Sequence, residues 1–310
     1  MTDLENLNLL WLDSPFFHKI LEELNEPGPD KQKILDYERD GYLLLDLNMD
    51  PQIADRIMNN PEVVYSGKEH ETKRALNYWD KNEDIRSLTV LPEVYRVLKL
   101  LYRREPIPMQ TVNFQVGSEK KAHSDAIQFS SFPSGFMCAV WIALEDITAG
   151  NGPLEIYPGS HKLPFYNLSD AGVMADNAPS LYAYYEDYEN FMQKVIEAHD
   201  LQPKQIVMKK GQALIWAANM LHGGAKILDK NSTRYSQVTH YYFDNCMYYG
   251  PLFSDVALGK LHYWNFKNIK TGKWVAHKYL GKEVSLDPGF VSRLKDAMSG
   301  SYLKSYPMPD

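Results

Sequence analysis

His123 and Asp125 stand two residues apart in Ala122-His123-Ser124-Asp125-Ala126. On a strand, side chains at i and i+2 point to the same face. The spacing therefore predicts an imidazole nitrogen beside a carboxylate oxygen. A second imidazole from a distant element would complete two histidines and one carboxylate on one face of a metal. That set suits Fe(II) and leaves positions open for a bidentate co-substrate and for O2. His222 is the candidate third ligand. It lies in Asn219-Met220-Leu221-His222-Gly223-Gly224, after the strand-like Ala213 to Trp216, and the glycines behind it permit close approach of a ligand to the backbone. Plainer roles compete with this one. A His-x-Asp pair also occurs as a surface hydrogen bond, and a histidine at a strand end also occurs as a cap.

Arg234 follows the turn-rich Asp229-Lys230-Asn231-Ser232. A hairpin there would set Arg234 on the strand beside His222. A guanidinium holds a carboxylate in two parallel hydrogen bonds. Here it would grip the far carboxylate of 2-oxoglutarate while the keto acid end chelates the iron. The competing role is a surface arginine in a salt bridge.

The elements that must position these residues come in two kinds. Residues 1–40 read as helical, with Leu4, Leu7, Leu10 and Trp11, then Phe17, Ile20, Leu21 and Leu24, near helical spacing. A second helix, roughly 31–39, ends at Gly41, and Tyr42 to Leu47 is a short apolar strand. Asp50-Pro51 is an N-cap followed by proline at the first helical position, opening a helix to about Asn59. Residues 61–81 show no period, and Asp84 to Arg104 reads as one helix closed by Pro106 and Pro108. From Met109 the pattern becomes short strands with turn signals, that of an all-β sandwich or barrel. Met109 to Val116, Met137 to Leu144, Leu154 to Tyr157, Ile206 to Lys209, Ala213 to Trp216 and Tyr235 to Phe243 are the strand candidates. An insertion of about 165–203 carries Tyr182, Tyr184, Tyr185 and Tyr188 and then a helix-like run. Such a long insertion is a candidate lid. A hairpin at Lys270 to Lys273 and a helix over Pro288 to Met298 follow. No linker divides the chain. The expectation is one domain over 1–310: a mainly helical part over 1–108, a β core over 109–245, and a C-terminal extension over 246–310.

Composition narrows the function. Hydrophobic residues make up 44% and charged residues 24%, an ordinary globular balance. A net charge of −7 argues against broad binding to nucleic acid or anionic membranes. The longest apolar run, Cys138 to Leu144, is too short to span a bilayer, and the acidic N-terminus lacks the basic region of a signal peptide. Two cysteines, Cys138 and Cys246, suggest no disulfide framework. A small-molecule substrate and a cytoplasmic setting are the expectation.

The stretch from Gln110 to about Tyr242 resembles the phytanoyl-CoA dioxygenase family of Fe(II)/2-oxoglutarate oxygenases. The matching pieces, in order, are His123-Ser124-Asp125, Trp141, Asn151-Gly152-Pro153-Leu154, Tyr157-Pro158-Gly159-Ser160-His161, Lys210-Gly211-Gln212, His222-Gly223-Gly224 and Arg234. Asp40-Gly41-Tyr42 resembles the family's usual opening before its first strand. The resemblance implies a double-stranded β-helix, or cupin-like jelly roll, with helices packed around it. It implies iron held by His123, Asp125 and His222, and co-substrate contacts from Arg234, Trp141, Gln110 and Asn113. It implies O2-dependent hydroxylation with release of succinate and CO2. The carboxylate of Asp125 argues for hydroxylation or a related oxidation over halogenation. Two positions depart from the family. Gly224 stands where a hydroxyl residue is frequent, so that contact is absent or supplied elsewhere. Gln128 stands where an aromatic residue or histidine is common, which bears on substrate choice. His161 fits a structural role in its turn. Two rival readings use the same residues: a jelly-roll metalloenzyme without 2-oxoglutarate, and a non-catalytic cupin-like binding protein. Arg234 and Trp141 argue against the first, and the complete ligand set against the second.

Overall fold

The computed structural model describes residues 7–60, 62–63, 65, 74–173 and 184–285. Five helices precede or flank the first long strands: α1 (Phe17–Leu24), α2 (Gly28–Asp40), α3 (Pro51–Met58), α4 (Glu83–Leu88) and α5 (Pro92–Tyr102). α6 (Tyr185–Ala198) comes later in the chain. Local chemistry sets several of their ends. Asp50 caps α3 by accepting from the Gln52 N–H. Gly41 ends α2 at φ 78°, the left-handed conformation a glycine adopts without penalty. The run expected as one helix over 84–104 is two, because Pro92 opens α5 with Leu91 as its N-cap residue.

Thirteen strands among the described residues alternate with the helices or follow them: β1 (Tyr42–Asp46), β2 (Arg74–Leu76), β3 (Pro106–Phe114), β4 (Ser130–Phe132), β5 (Met137–Ala143), β6 (Leu154–Ile156), β7 (Lys204–Ile206), β8 (Gln212–Ala217), β9 (His222–Gly224), β10 (Ser236–Phe243), β11 (Met247–Tyr249), and the short pair β12 (Lys278–Tyr279) and β13 (Lys282–Glu283). Six of them form an antiparallel sheet in the order β1-β8-β5-β10-β3-β2. β7, β6 and β9 form a smaller sheet, and β11 pairs with β4. The two sheets face each other as a jelly roll. β2 falls in the stretch expected to be irregular, and β3 begins at Pro106 where a helix end was expected. Pro106 and Pro108 are tolerated there because β2 pairs only with Val112 to Phe114, so no second strand asks the proline end of β3 for an N–H, and the Pro108 carbonyl accepts from the Ile269 N–H instead.

β5 is buried along its whole length because the large sheet is covered on both faces. On the outer face Cys138, Val140 and Ile142 pack with Tyr37, Val94, Leu98 and Leu101 of the helices. On the inner face Ala139 and Trp141 meet Leu154, Ile156 and Ile206 of the small sheet. A third cluster joins α6 to the strand ends through Tyr188, Met192, Ala122, Ile127 and Leu221. The helix in the inserted segment is thus a packed wall. Tyr182 and the expected helix over 288–298 lie outside the described residues. No helix among the described residues is long and apolar enough to cross a membrane.

Candidate metal and co-substrate site

His123 and Asp125 converge as expected, but on different backbone. His123 forms an isolated antiparallel bridge with His222, and Asp125 begins a short 3-10 turn over Asp125–Ile127. The Ser124 hydroxyl closes that turn by accepting from the Ala126 N–H and donating to the Ala218 carbonyl. The bridge brings the two imidazoles together, with ring centroids 4.5 Å apart.

Each ligand is aimed by a second bond. His123 Nδ1 lies 2.9 Å from the Lys121 carbonyl, and His222 Nδ1 lies 3.0 Å from the Met220 carbonyl. A carbonyl only accepts, so both Nδ1 atoms carry the proton. Burial, with Lys120 and His222 adding to it, holds the His123 pKa well below the usual histidine range, so its Nε2 keeps a lone pair, which accepts from Lys120 Nζ at 3.2 Å. Asp125 Oδ2 accepts from the Trp216 indole at 3.0 Å, leaving Oδ1 at 3.9 Å from His123 Nε2 and 3.7 Å from His222 Nε2. One ligand atom from each of the three buried residues lies within 4.8 Å of the others. Two imidazoles and a carboxylate, each oriented by an outer partner, fit a divalent ion such as Fe(II).

The three ligands open on a cavity of about 720 Å³ between the sheets. Arg234 lines it, 2% exposed. It does not lie beside His222. It immediately precedes β10 in the large sheet, while β9, with His222, belongs to the small one, so the two residues sit on opposing sheets of the roll. Its guanidinium lies 5.2 Å from the Trp141 ring and 5.5 Å from the Phe114 ring. Nη1 donates to the Gly152 carbonyl at 2.9 Å, and Nε is buried with no partner among the described residues. Burial pushes its pKa down to about 10, which leaves the group cationic near neutrality.

Gln110 and Trp141 line the cavity; Asn113 does not. Along β3, Gln110, Val112 and Phe114 face inward, so Asn113 points to the opposite face and donates to Gln237 Oε1 at 3.1 Å. Gln237 in turn bonds the Ile85 carbonyl of α4. Asn113 is therefore brought to the helical layer and away from the cavity. His161 bonds the Glu38 carbonyl and is not among the lining residues.

The missing hydroxyl at 224 has a steric cause. A Cβ built on Gly224 would lie 2.6 Å from Ser118 Oγ and 2.7 Å from the Glu119 nitrogen. The loop 118–120 occupies that space, and Ser118 lines the cavity there. Sequence reasoning also missed His240 on β10. Its signal was parity: Arg234, Ser236, Val238 and His240 alternate along one face. The aromatic rings of Phe129, Phe253, Trp264 and Phe266 complete another wall, three of them from the C-terminal extension, for which no local signal exists.

Comparison with known proteins bears on the family and the fold. Residues 81–233 match the family model described as phytanoyl-CoA dioxygenase. The chain is 25% identical over 179 residues to the peroxisomal phytanoyl-CoA dioxygenase of Rattus norvegicus, covering 55% of this chain and 49% of that one. The chain thus spans about half the length of that relative. Among solved structures, the epimerase SnoN from nogalamycin biosynthesis aligns with a TM-score of 0.53 at 17% identity, over 72% of this chain and 84% of that one. EctD from S. alaskensis aligns with a TM-score of 0.50 at 15% identity, over 68% and 76%. These likenesses carry the fold. Residues 81–233, just under half of the chain, are thus similar to the phytanoyl-CoA dioxygenase family.

Proposed function

We propose that the protein is an Fe(II)/2-oxoglutarate-dependent dioxygenase that hydroxylates a small molecule. The observation that carries the reading is a single cavity holding both the convergent His123, Asp125 and His222 ligand atoms and a buried guanidinium with an unmet donor. His123, Asp125 and His222 would hold the iron, which with 2-oxoglutarate supplies O2 activation. Arg234 would bind the distal carboxylate of 2-oxoglutarate, with its Nε–H as one donor. Trp141 packs against the guanidinium and limits its motion. Gln110 offers an amide to the co-substrate from β3, and Ser118 offers the hydroxyl that Gly224 cannot. The Trp216 indole holds Asp125 Oδ2, which keeps Oδ1 directed at the ion. The aromatic lining excludes water from the reacting centre.

A second reading concerns the reaction type. The similar structures include an epimerase and a carbocyclase, so the same site on this fold is compatible with oxidation that does not leave a hydroxyl on the product. The test is succinate formation from 2-oxoglutarate with added Fe(II), with and without candidate substrates. Iron-dependent succinate release, lost in Asp125→Ala, is the expected result. A protein that binds Fe(II) but neither binds nor consumes 2-oxoglutarate would favour a jelly-roll metalloenzyme of another kind or a binding protein.

A further inference from the structure

His240 is a buried imidazole that the iron and co-substrate reading does not use. It is 7% exposed and lines the cavity. Its Nδ1 has no hydrogen-bond partner among the described residues. Its Nε2 lies 3.8 Å from Asp125 Oδ2, too far for a hydrogen bond, and that oxygen already accepts from Trp216. A buried polar group left unpaired costs about 1–3 kcal/mol. Such a group at a cavity wall is explained by a ligand that pairs it.

The surroundings describe that ligand. The Phe129 ring lies 5.2 Å from the His240 ring, and Trp264 lies 6.0 Å from Phe129 and 5.5 Å from Phe253. Trp264 is fixed in place by donating its indole N–H to the Gln128 carbonyl at 2.9 Å. This wall suits an apolar body. Among the described residues, the charged side chains lining the cavity are Arg74, Lys120, Arg234 and Asp125, three cations against one carboxylate. An Fe(II) ion and a 2-oxoglutarate dianion cancel each other, so that excess of positive charge remains for a further ligand.

Building on the oxygenase reading, we propose that the prime substrate is an amphipathic acid, its apolar body against the Phe129–Trp264 wall and an oxygen of its acidic group hydrogen-bonded to His240. His240 is on this account the residue that selects the substrate.

The test is anaerobic binding to the Fe(II)- and 2-oxoglutarate-loaded protein, read by calorimetry and tryptophan fluorescence. The probes are medium-chain alkanoic and arylalkanoic acids, each with its methyl ester. The acids should bind about tenfold more tightly than their esters, the worth of one such hydrogen bond together with the favourable charge. His240→Phe should erase that preference. His240→Asn, whose amide reaches the place of Nδ1, should keep most of it. The proposal is overturned if no acid binds, if acids and esters bind equally, or if the preference survives in His240→Phe. It is also overturned if His240→Phe weakens 2-oxoglutarate by about tenfold and leaves the acids unaffected, since His240 would then be a co-substrate contact. Failure of the wild-type protein to bind 2-oxoglutarate strikes the oxygenase reading itself. The acid and ester comparison, which needs no turnover, still reads His240 in that case.

Discussion

Two walls of one cavity differ in how fully their polar groups are satisfied. On the metal side every ligand has its outer bond: Lys121 and Met220 carbonyls for the imidazoles, and Trp216 for the carboxylate. On the large-sheet side, Arg234 Nε and His240 Nδ1 are buried with no partner among the described residues. The first wall is aimed before anything binds, as geometry must be right for an ion to be held, with Lys120 Nζ at 3.2 Å from His123 Nε2 in the place an ion would take. The second is left with unmet donors, and binding a carboxylate there gains hydrogen bonds without first breaking any. The difference separates residues that build the site from residues that await its contents.

Substitutions can break this contrast, and their expected effects descend in a definite order. Asp125→Ala removes a ligand atom and should reduce Fe(II)-dependent succinate formation to background, with loss of metal binding in equilibrium dialysis. Arg234→Met should leave metal binding in place and raise the KM for 2-oxoglutarate roughly 10- to 100-fold, the range for hydrogen bonds to a charged group. Trp216→Phe frees Asp125 Oδ2 and should weaken Fe(II) binding by about tenfold at constant 2-oxoglutarate affinity in the loaded protein. If Trp216→Phe instead affected only 2-oxoglutarate, the two walls would not be separable as described. Gly224→Ala should cost about 1–3 kcal/mol, measured as a lower denaturant midpoint, because the added Cβ meets the Glu119 backbone at 2.7 Å. Ser118→Ala should raise the KM for 2-oxoglutarate by only a few-fold, the worth of one neutral hydrogen bond.

The metal wall was legible because its residues carry short, ordered motifs. His123-Ser124-Asp125 and His222-Gly223-Gly224 are chemical signals that survive even where the assumed strand is a bridge followed by a 3-10 turn. The buried strand β5 was legible for a different reason: a continuous apolar run reads the same whatever it packs against. The helical break at Pro92 was written in the sequence but outweighed by the leucine and valine period on either side of it. Asn113 was misplaced because a strand alternates faces, and Gln110 already fixed which face was inward. The placement of Arg234 opposite His222 depends on which sheet each strand joins, and pairing between distant strands leaves no local mark. The same holds for the aromatic wall. Trp264 reaches Gln128 across 136 positions of chain, and no periodicity announces such a contact.

The most direct measurement is a crystal structure of the protein with Mn(II), standing in for Fe(II), and 2-oxoglutarate. The account predicts one ion bonded to His123 Nε2, Asp125 Oδ1 and His222 Nε2, with the distal carboxylate of 2-oxoglutarate on Arg234. An ion bound elsewhere, or 2-oxoglutarate seated without contact to Arg234, would contradict it.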